Sequence, residues 1–344
     1  MDKSLKLDIS DNASTPKYKQ IVNSIISKIE AGKITYGQKL PSINRLSFDY
    51  LLARDTVEKA YNELKERAII ESVKGKGYYV RNSNPGTKLK VLVLFNKLSS
   101  YKRVIYNTMS SLMGSKAELD LFIYHCNYEL FERIYLERLI GYNYYIIMPH
   151  FIEFEVNKLL ALLKNTQREK IILLDHQIEG LDHYNGLVYQ DFKMDIYNAL
   201  VEANDLLKKY NKIVLVFPES QNYPYPKEII LGFRRFCSFH SIESKIISEI
   251  REDTELEQQV AYIIIEENDL INMIKLARLK NRRLGKDLGI LSYNDTPLKE
   301  VLEDGISVIT TDFEKMGALA AEMMANNQSL NVKNEFRLII RNSL

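Results

Sequence analysis

From Tyr18 the apolar positions fall at Ile21, Val22, Ile25, Ile26 and Ile29, the i, i+3, i+4, i+7, i+8, i+11 spacing of one helix face. Thr15-Pro16 supplies a start for this helix and Gly32 a stop. An extended piece over 37–41 leads to Ser42, which stands where an N-cap belongs, and a short helix is predicted from Ile43 to Leu52. A tight turn at Ala53 opens a third helix, Asp55 to Arg67, with Val57, Ala60, Tyr61 and Leu64 facing inward. Residues 69–73 and 77–81 are β-rich and flank Lys74-Gly75-Lys76, so they predict a hairpin with a basic tip.

Asn82-Ser83-Asn84-Pro85-Gly86 is a polar break and reads as a linker. Beyond it the period changes. Short β-rich runs at 91–95, 121–124, 145–148, 171–174, 213–217, 262–265 and 289–291 alternate with helical patterns. Those patterns cover 103–118, 131–140, 153–165, 193–209, 226–240, 268–280 and 312–326. Strand–helix alternation predicts parallel sheets with right-handed crossovers. About 250 residues is large for one such sheet, so two lobes with a cleft are expected.

Charge sharpens this division. The formal net charge of the 344 residues is +2. Residues 1–82 hold 15 Lys and Arg against 10 Asp and Glu, a net of +5, and the remainder holds 32 against 35. A small basic unit on a near-neutral body suits a head that meets a polyanion. Cys126 and Cys237 are far apart and lack metal-ligand spacing, which predicts neither a disulfide framework nor a metal site. The start has no apolar signal core, and no run of about 18 apolar residues occurs, so a cytoplasmic chain outside the membrane is expected.

In the first 82 residues, Tyr18, Leu40-Pro41-Ser42, Arg54-Asp55-Thr56-Val57 and Gly75-Lys76-Gly77-Tyr78-Tyr79-Val80 appear in order. This set resembles the winged helix-turn-helix of the gluconate-repressor (GntR) family of bacterial transcription regulators. The resemblance implies DNA contacts by Ser42, Arg45, Arg54, Asp55, Thr56, Lys74, Gly75 and Lys76. Arg54 suits a bidentate contact to guanine, Thr56 and Ser42 suit phosphate, and Lys74 and Lys76 are electrostatic. Two departures stand out. Ile43-Asn44 replaces the usual Glu-Arg after Pro-Ser, and Glu58 replaces a common basic residue two positions after Thr56.

In the body, Leu173-Leu174-Asp175 ends a strand, Gly232-Phe233 with Arg234 and Arg235 opens a helix, and Glu267-Asn268-Asp269 follows a strand. Then come Gly289 to Asp295, Ile309-Thr310-Thr311-Asp312, Gly317 to Ala321, and a closing Leu338 to Ser343. That order resembles the effector domain of lactose-repressor-type regulators, relatives of periplasmic sugar-binding proteins. It implies two α/β lobes joined by three crossovers, with the ligand between them. The cleft residues it implies are Asn96, Lys97, Tyr101, His150, Asp175, His176, Lys227, Asn268 and Asn294, with Asp295 and Thr311 next in line. Strand-end positions of this kind are where ligands bind in α/β sheets. The family often carries Arg shortly before the Gly-Phe pair. Here Glu228, Ile229 and Ile230 fill that stretch and Lys227 is the nearest base, which argues against a strongly anionic ligand.

No Gly-x-Ser-x-Gly elbow, phosphate-binding loop, His-Glu-x-x-His or dinucleotide fingerprint follows a strand, so no catalytic residue and no cofactor are expected. The alternative is a sugar-processing enzyme carrying a DNA-binding head, with His150 and His176 meeting in the cleft. The expected architecture is a winged helix-turn-helix over 1–82, a linker over 83–88 and a two-lobed α/β sugar-sensing domain over 89–344. The resemblance implies a homodimer on double-stranded operator DNA. It further points to a monosaccharide effector, with L-fucose or a similar pentose or deoxyhexose as the type.

Overall fold

The computed structural model describes residues 6–10, 15–35, 37–66, 69–73, 75–80, 88–139, 141–164, 171–182, 184–219 and 223–344. The chain divides into two compact units, Met1–Lys88 and Leu89–Leu344. Most of the expected linker, residues 83–87, lies outside the described residues.

In the first unit α1 (Lys17–Glu30), α2 (Ile43–Asp49) and α3 (Arg54–Glu66) precede an antiparallel hairpin of β1 (Ile70–Val73) and β2 (Gly77–Val80). Ile21, Val22, Ile25, Leu46, Val57, Ala60, Tyr61, Leu64, Ile70 and Val80 close one core. The inward positions of α3 are those its helical period specifies. Tyr61 satisfies its buried hydroxyl by donating to the Pro41 carbonyl at 2.8 Å. Ser42 caps α2, its Oγ accepting from the Arg45 amide at 3.2 Å. The hairpin turn needs left-handed backbone at Gly75 (φ +75°) and Gly77 (φ +107°), which residues with a Cβ rarely adopt.

The second unit holds two six-stranded sheets. The first-lobe sheet contains β3 (Leu89–Phe95), β4 (Ala117–Ile123), β5 (Tyr144–Ile147), β6 (Ile171–Asp175), β7 (Gly186–Tyr189) and β13 (Asn331–Lys333), in the order β13-β7-β6-β5-β3-β4. All its pairings are parallel. The second-lobe sheet contains β8 (Lys212–Val216), β9 (Glu243–Ile247), β10 (Val260–Ile264), β11 (Gly289–Tyr293), β12 (Ser307–Thr311) and β14 (Phe336–Ile339), ordered β14-β12-β11-β10-β8-β9. Only β14 runs antiparallel to its neighbour. β5, β6, β10, β11 and β12 are buried along their whole length, as expected of strands covered on both faces.

The chain passes between the lobes three times: after β7, after β12, and between β13 and β14. Two helices are thereby exchanged. α7 (Phe192–Glu202) follows a first-lobe strand but packs in the second-lobe core against α9 (Glu228–Phe239). α12 (Phe313–Asn326) follows a second-lobe strand but packs in the first-lobe core against α4 (Ser100–Met113). The crossing strands are stitched together. The Asn334 amide donates to the Tyr189 carbonyl at 2.7 Å, Asn334 Nδ2 to the Asp312 carbonyl at 2.9 Å, and the Asp312 amide to the Glu335 carbonyl at 2.9 Å.

Several boundaries differ from the sequence expectation. The helix expected over 103–118 ends at Met113, because Gly114 turns left-handed and Ala117 already pairs with Leu89 in β4. Gly232-Phe233 lies inside α9 rather than at its start. A Cβ at Gly232 would sit 2.1 Å from the Lys193 carbonyl oxygen, so this glycine permits the close crossing of α7. The helix expected over 193–209 breaks at Ala203 into α7 and α8 (Asn204–Leu207). β7, β9, β12, β13 and β14 went unpredicted as strands.

Candidate functional site

In the first unit Arg54, Asp55 and Thr56 form the opening turn of α3, Ser42 and Arg45 the start of α2, and Gly75 and Lys76 the hairpin tip. Ser42, Arg45, Arg54, Asp55, Gly75 and Lys76 are exposed, and Thr56 is half-buried. Lys74 lies outside the described residues. Arg45 Nε meets Asp49 Oδ2 at 2.9 Å on the exposed face of α2, a surface pair of small energetic weight. These residues hold no core together, so their chemistry is free for a partner.

In the second unit a cavity of about 220 Å³ lies between the lobes, at the carboxyl ends of strands from both sheets. The first lobe contributes Lys97, Ser99 and Tyr101 beyond β3, His150 beyond β5 and Asp175 at the end of β6. The second contributes Tyr223 and Tyr225 beyond β8, Glu266, Glu267 and Asn268 beyond β10, Tyr293 and Asn294 at β11, and Lys299. Gln190, Phe192 and Phe313 enter from the crossovers. Asp175 (φ +76°) and Asn294 (φ +61°) are left-handed, and Asp and Asn are the side chains that best tolerate that backbone. Such positions cost about 1–3 kcal/mol and gather where a site must be aimed.

Asp175 is the hub. Its Oδ2 lies 2.6 Å from His150 Nε2, and its Oδ1 accepts from Gln190 Nε2. Burial opposes the charge on Asp175, but the His150 hydrogen bond, the Lys102 charge and the Gln190 amide outweigh it and hold the carboxyl at about 2. Burial pushes His150 below its ordinary value, against the pull of Asp175. The pair at neutral pH is thus a carboxylate accepting from a neutral imidazole. Gln190 Oε1 in turn accepts from Thr311 Oγ1, extending the chain of polar contacts from the first lobe across two crossovers.

Two lysines stabilise the walls. Lys102 is fully buried behind the cavity and donates to Asn96 Oδ1, while Asn96 Nδ2 donates to Cys126 Sγ at 3.4 Å. Burial lowers Lys102 to about 8, although Asp175 opposes the shift. Lys299 donates to the Tyr293 and Asn294 carbonyls at 2.9 and 2.8 Å, and burial lowers it to about 8 as well. Lys97 stands 3.6 Å from the centre of the Tyr223 ring, a cation–π contact between lobes. Tyr101 stacks on Phe313 at 4.8 Å, and Tyr223 meets Tyr225 edge-on at 4.5 Å. The Tyr293 hydroxyl and Asn294 Oδ1 are buried with no partner among the described residues. Orphaned polar atoms at a cavity wall are what a hydroxyl-bearing ligand would satisfy.

Six of the nine cleft residues implied by the sequence therefore line the cavity: Lys97, Tyr101, His150, Asp175, Asn268 and Asn294. Asn96 sits behind the wall as the bracket for Lys102, and His176 stands between His150 and Phe192 at 5.9 and 6.1 Å without lining the space. Lys227 is exposed at the N-cap of α9 and takes no part. Asp295 is engaged by the Arg341 guanidinium at 2.9 and 2.8 Å. Sequence reasoning missed Tyr223, Tyr225, Gln190, Tyr293 and Lys299. The Tyr-Pro-Tyr-Pro run after β8 was a signal available for the first two.

Among the described residues no cluster of three or more His, Cys, Asp or Glu could hold a metal ion, and no helix is long and apolar enough to cross a membrane.

Comparison with known proteins fits both regions. Residues 17–80 match the model of bacterial regulatory proteins of the gntR family, and residues 206–343 match that of the periplasmic binding protein-like domain. The HTH-type transcriptional repressor YtrA of Bacillus subtilis is 36% identical over 74 residues, which cover 22% of this chain and 57% of YtrA. The chain thus spans little more than half the length of that relative. The Escherichia coli transcriptional repressor ascG superposes with a TM-score of 0.60 at 16% identity, over 75% of this chain and 99% of that one. A LacI family regulator from Lactobacillus casei with bound glucose gives 0.58 at 12% identity, over 74% and 99%. The chain joins a head of the gntR family of bacterial regulatory proteins to a body with the periplasmic-binding-protein-like fold.

Proposed function

We propose that this chain is a cytoplasmic transcriptional repressor that grips a palindromic operator as a homodimer and releases or tightens that grip when a neutral monosaccharide fills the inter-lobe cleft. The cleft carries the reading. Its volume of about 220 Å³ falls below the roughly 300–1,000 Å³ of pockets for drug-sized ligands, which suits one sugar ring. Aromatic walls for a sugar face stand beside carboxylate, amide and hydroxyl groups that match adjacent sugar hydroxyls. Lys97, Lys102 and Lys299 are balanced by Asp175, Glu266 and Glu267, so no net charge favours an anion. The superposed relative with bound glucose has the same fold, which supports a sugar of this size.

Ligand contacts on Asp175 and His150 reach the crossovers through Gln190 and Thr311. A ligand that favours one lobe arrangement shifts that equilibrium, and operator and sugar affinities are then reciprocally coupled. Two heads on half-sites about one helical turn apart, or a multiple, complete the mechanism.

A thermal-shift screen of monosaccharides including L-fucose, L-arabinose and D-glucose, followed by operator binding with and without the hit, tests this. One sugar should raise the midpoint and change operator affinity by roughly 5- to 150-fold. If no sugar moves the midpoint, the effector assignment fails. If no duplex is bound above non-specific levels, the repressor assignment fails.

A further inference from the structure

We propose that Glu58 of α3 is a base-reading residue that selects cytosine in the operator, one turn along the helix from a guanine read by Arg54. The proposal rests on the DNA-binding reading of the head and adds to it the bases read.

The geometry of α3 sets the frame. Val57, Ala60, Tyr61 and Leu64 are fully buried, which fixes the inward side. On the outward half Arg54, Asp55, Lys59 and Asn62 are exposed, and Glu58 is half-buried at its flank. Arg54 and Glu58 stand four residues apart, the spacing of a helical ion pair. Yet neither has an ion-pair or hydrogen-bond partner among the described residues. Of the nearby carboxylates, Glu63 pairs with Lys19 at 2.7 Å and Asp49 with Arg45 at 2.9 Å, while Asp55 stays exposed in the opening turn of α3. Lys59, adjacent in the chain, is drawn over the Tyr18 ring at 4.1 Å. Glu58 is left as an uncompensated acceptor on the face that also carries the free Arg54.

The chemistry of the major groove then restricts what Glu58 can meet. A carboxylate only accepts, and phosphates, guanine N7 and O6, and thymine O4 all repel it. The groove offers two donors, the amino groups of cytosine and adenine. Adenine sets the N7 acceptor beside its amino group, so cytosine is the better partner. Four helical residues advance about 6 Å, against about 3.4 Å per base pair, which places the cytosine within about two base pairs of the Arg54 guanine.

The full-length chain and its Glu58→Gln and Glu58→Ala variants are each used to select duplexes from a randomised pool, and Arg54→Ala marks the position of the guanine by relaxing it. The wild-type half-site should carry a C·G pair within two base pairs of that position, and exchanging it for T·A should weaken binding roughly tenfold or more. Glu58→Gln should move the preference there to adenine, whose N6 and N7 an amide can pair, and Glu58→Ala should lose the preference. A uniform gain in affinity with unchanged base preference in both variants would overturn the proposal, because Glu58 would then act only through repulsion of phosphates. A wild-type chain that selects no sequence would overturn the DNA-binding reading together with this one. Sequence-specific binding with a Glu58-independent preference would overturn this proposal alone.

Discussion

The residues at the opening of α3 and those around Asp175 are both polar clusters, yet they are built on opposite terms. Arg54 and Glu58 are free of partners among the described residues. Asp175 is 6% exposed and bonded to His150 and Gln190, with Lys102 buried nearby. The first arrangement leaves charge available and costs the fold little. The second satisfies charge internally, so that whatever enters the cleft must compete with contacts that also hold the lobes. Polar groups are left open at the head and are built into the fold around the cleft.

The largest expected effect that tests this contrast is Asp175→Ala. It strands the His150 Nε2–H and the Gln190 amide, and each buried donor left unsatisfied costs about 1–3 kcal/mol. Calorimetry should show monosaccharide binding abolished and the melting point of the body clearly lowered, with operator affinity of the folded protein kept. An unchanged melting point would erase the distinction between the two clusters. Next is Arg54→Ala, expected to cost about 1–3 kcal/mol of operator binding in fluorescence anisotropy while leaving the melting point in place. A drop in stability there would give the head the built-in character of the cleft. Lys76→Ala should weaken binding evenly across sequences and lower the log–log salt slope by about 1.

The smallest effect is on pH. Lys102 and Lys299 sit at about 8 in the folded body. Between there and the ordinary lysine range the unfolded chain holds protons that the folded one has released, so unfolding free energy should rise with pH from about 8. Above about 10 the trend should reverse. Burial raises tyrosines such as Tyr101, to about 12, and Tyr293, so the unfolded chain ionises first. Urea unfolding at successive pH values, with Lys102→Met flattening the rise, checks the sign.

The same contrast governs how much could be read from the chain alone. The head's pattern is local. Every position from Tyr18 to Val80 acts within one short stretch, so helix period, caps and turn residues sufficed to place Arg54 and Gly75. Strand ends of the body were legible for a related reason, since Lys97, His150, Asp175 and Asn294 follow apolar runs directly. Gln190 and Phe313 were not, because they reach the cleft only through crossovers whose partners are up to 121 residues away, as for Gln190 and Thr311. Lys227 shows the converse error: a charge near the expected motif proved to sit on the solvent side of a helix start.

The exchanged helices bear on how the molecule is made. The head's core closes within residues 7–80, and it can form as soon as that stretch leaves the ribosome. The first lobe begins at Leu89 but lacks its covering helix and its edge strand until Phe313–Lys333 has been synthesised. Its folding must therefore wait for almost the entire chain, with long-range closure setting the pace. During translation the small N-terminal unit matures before the two-lobed body that follows it.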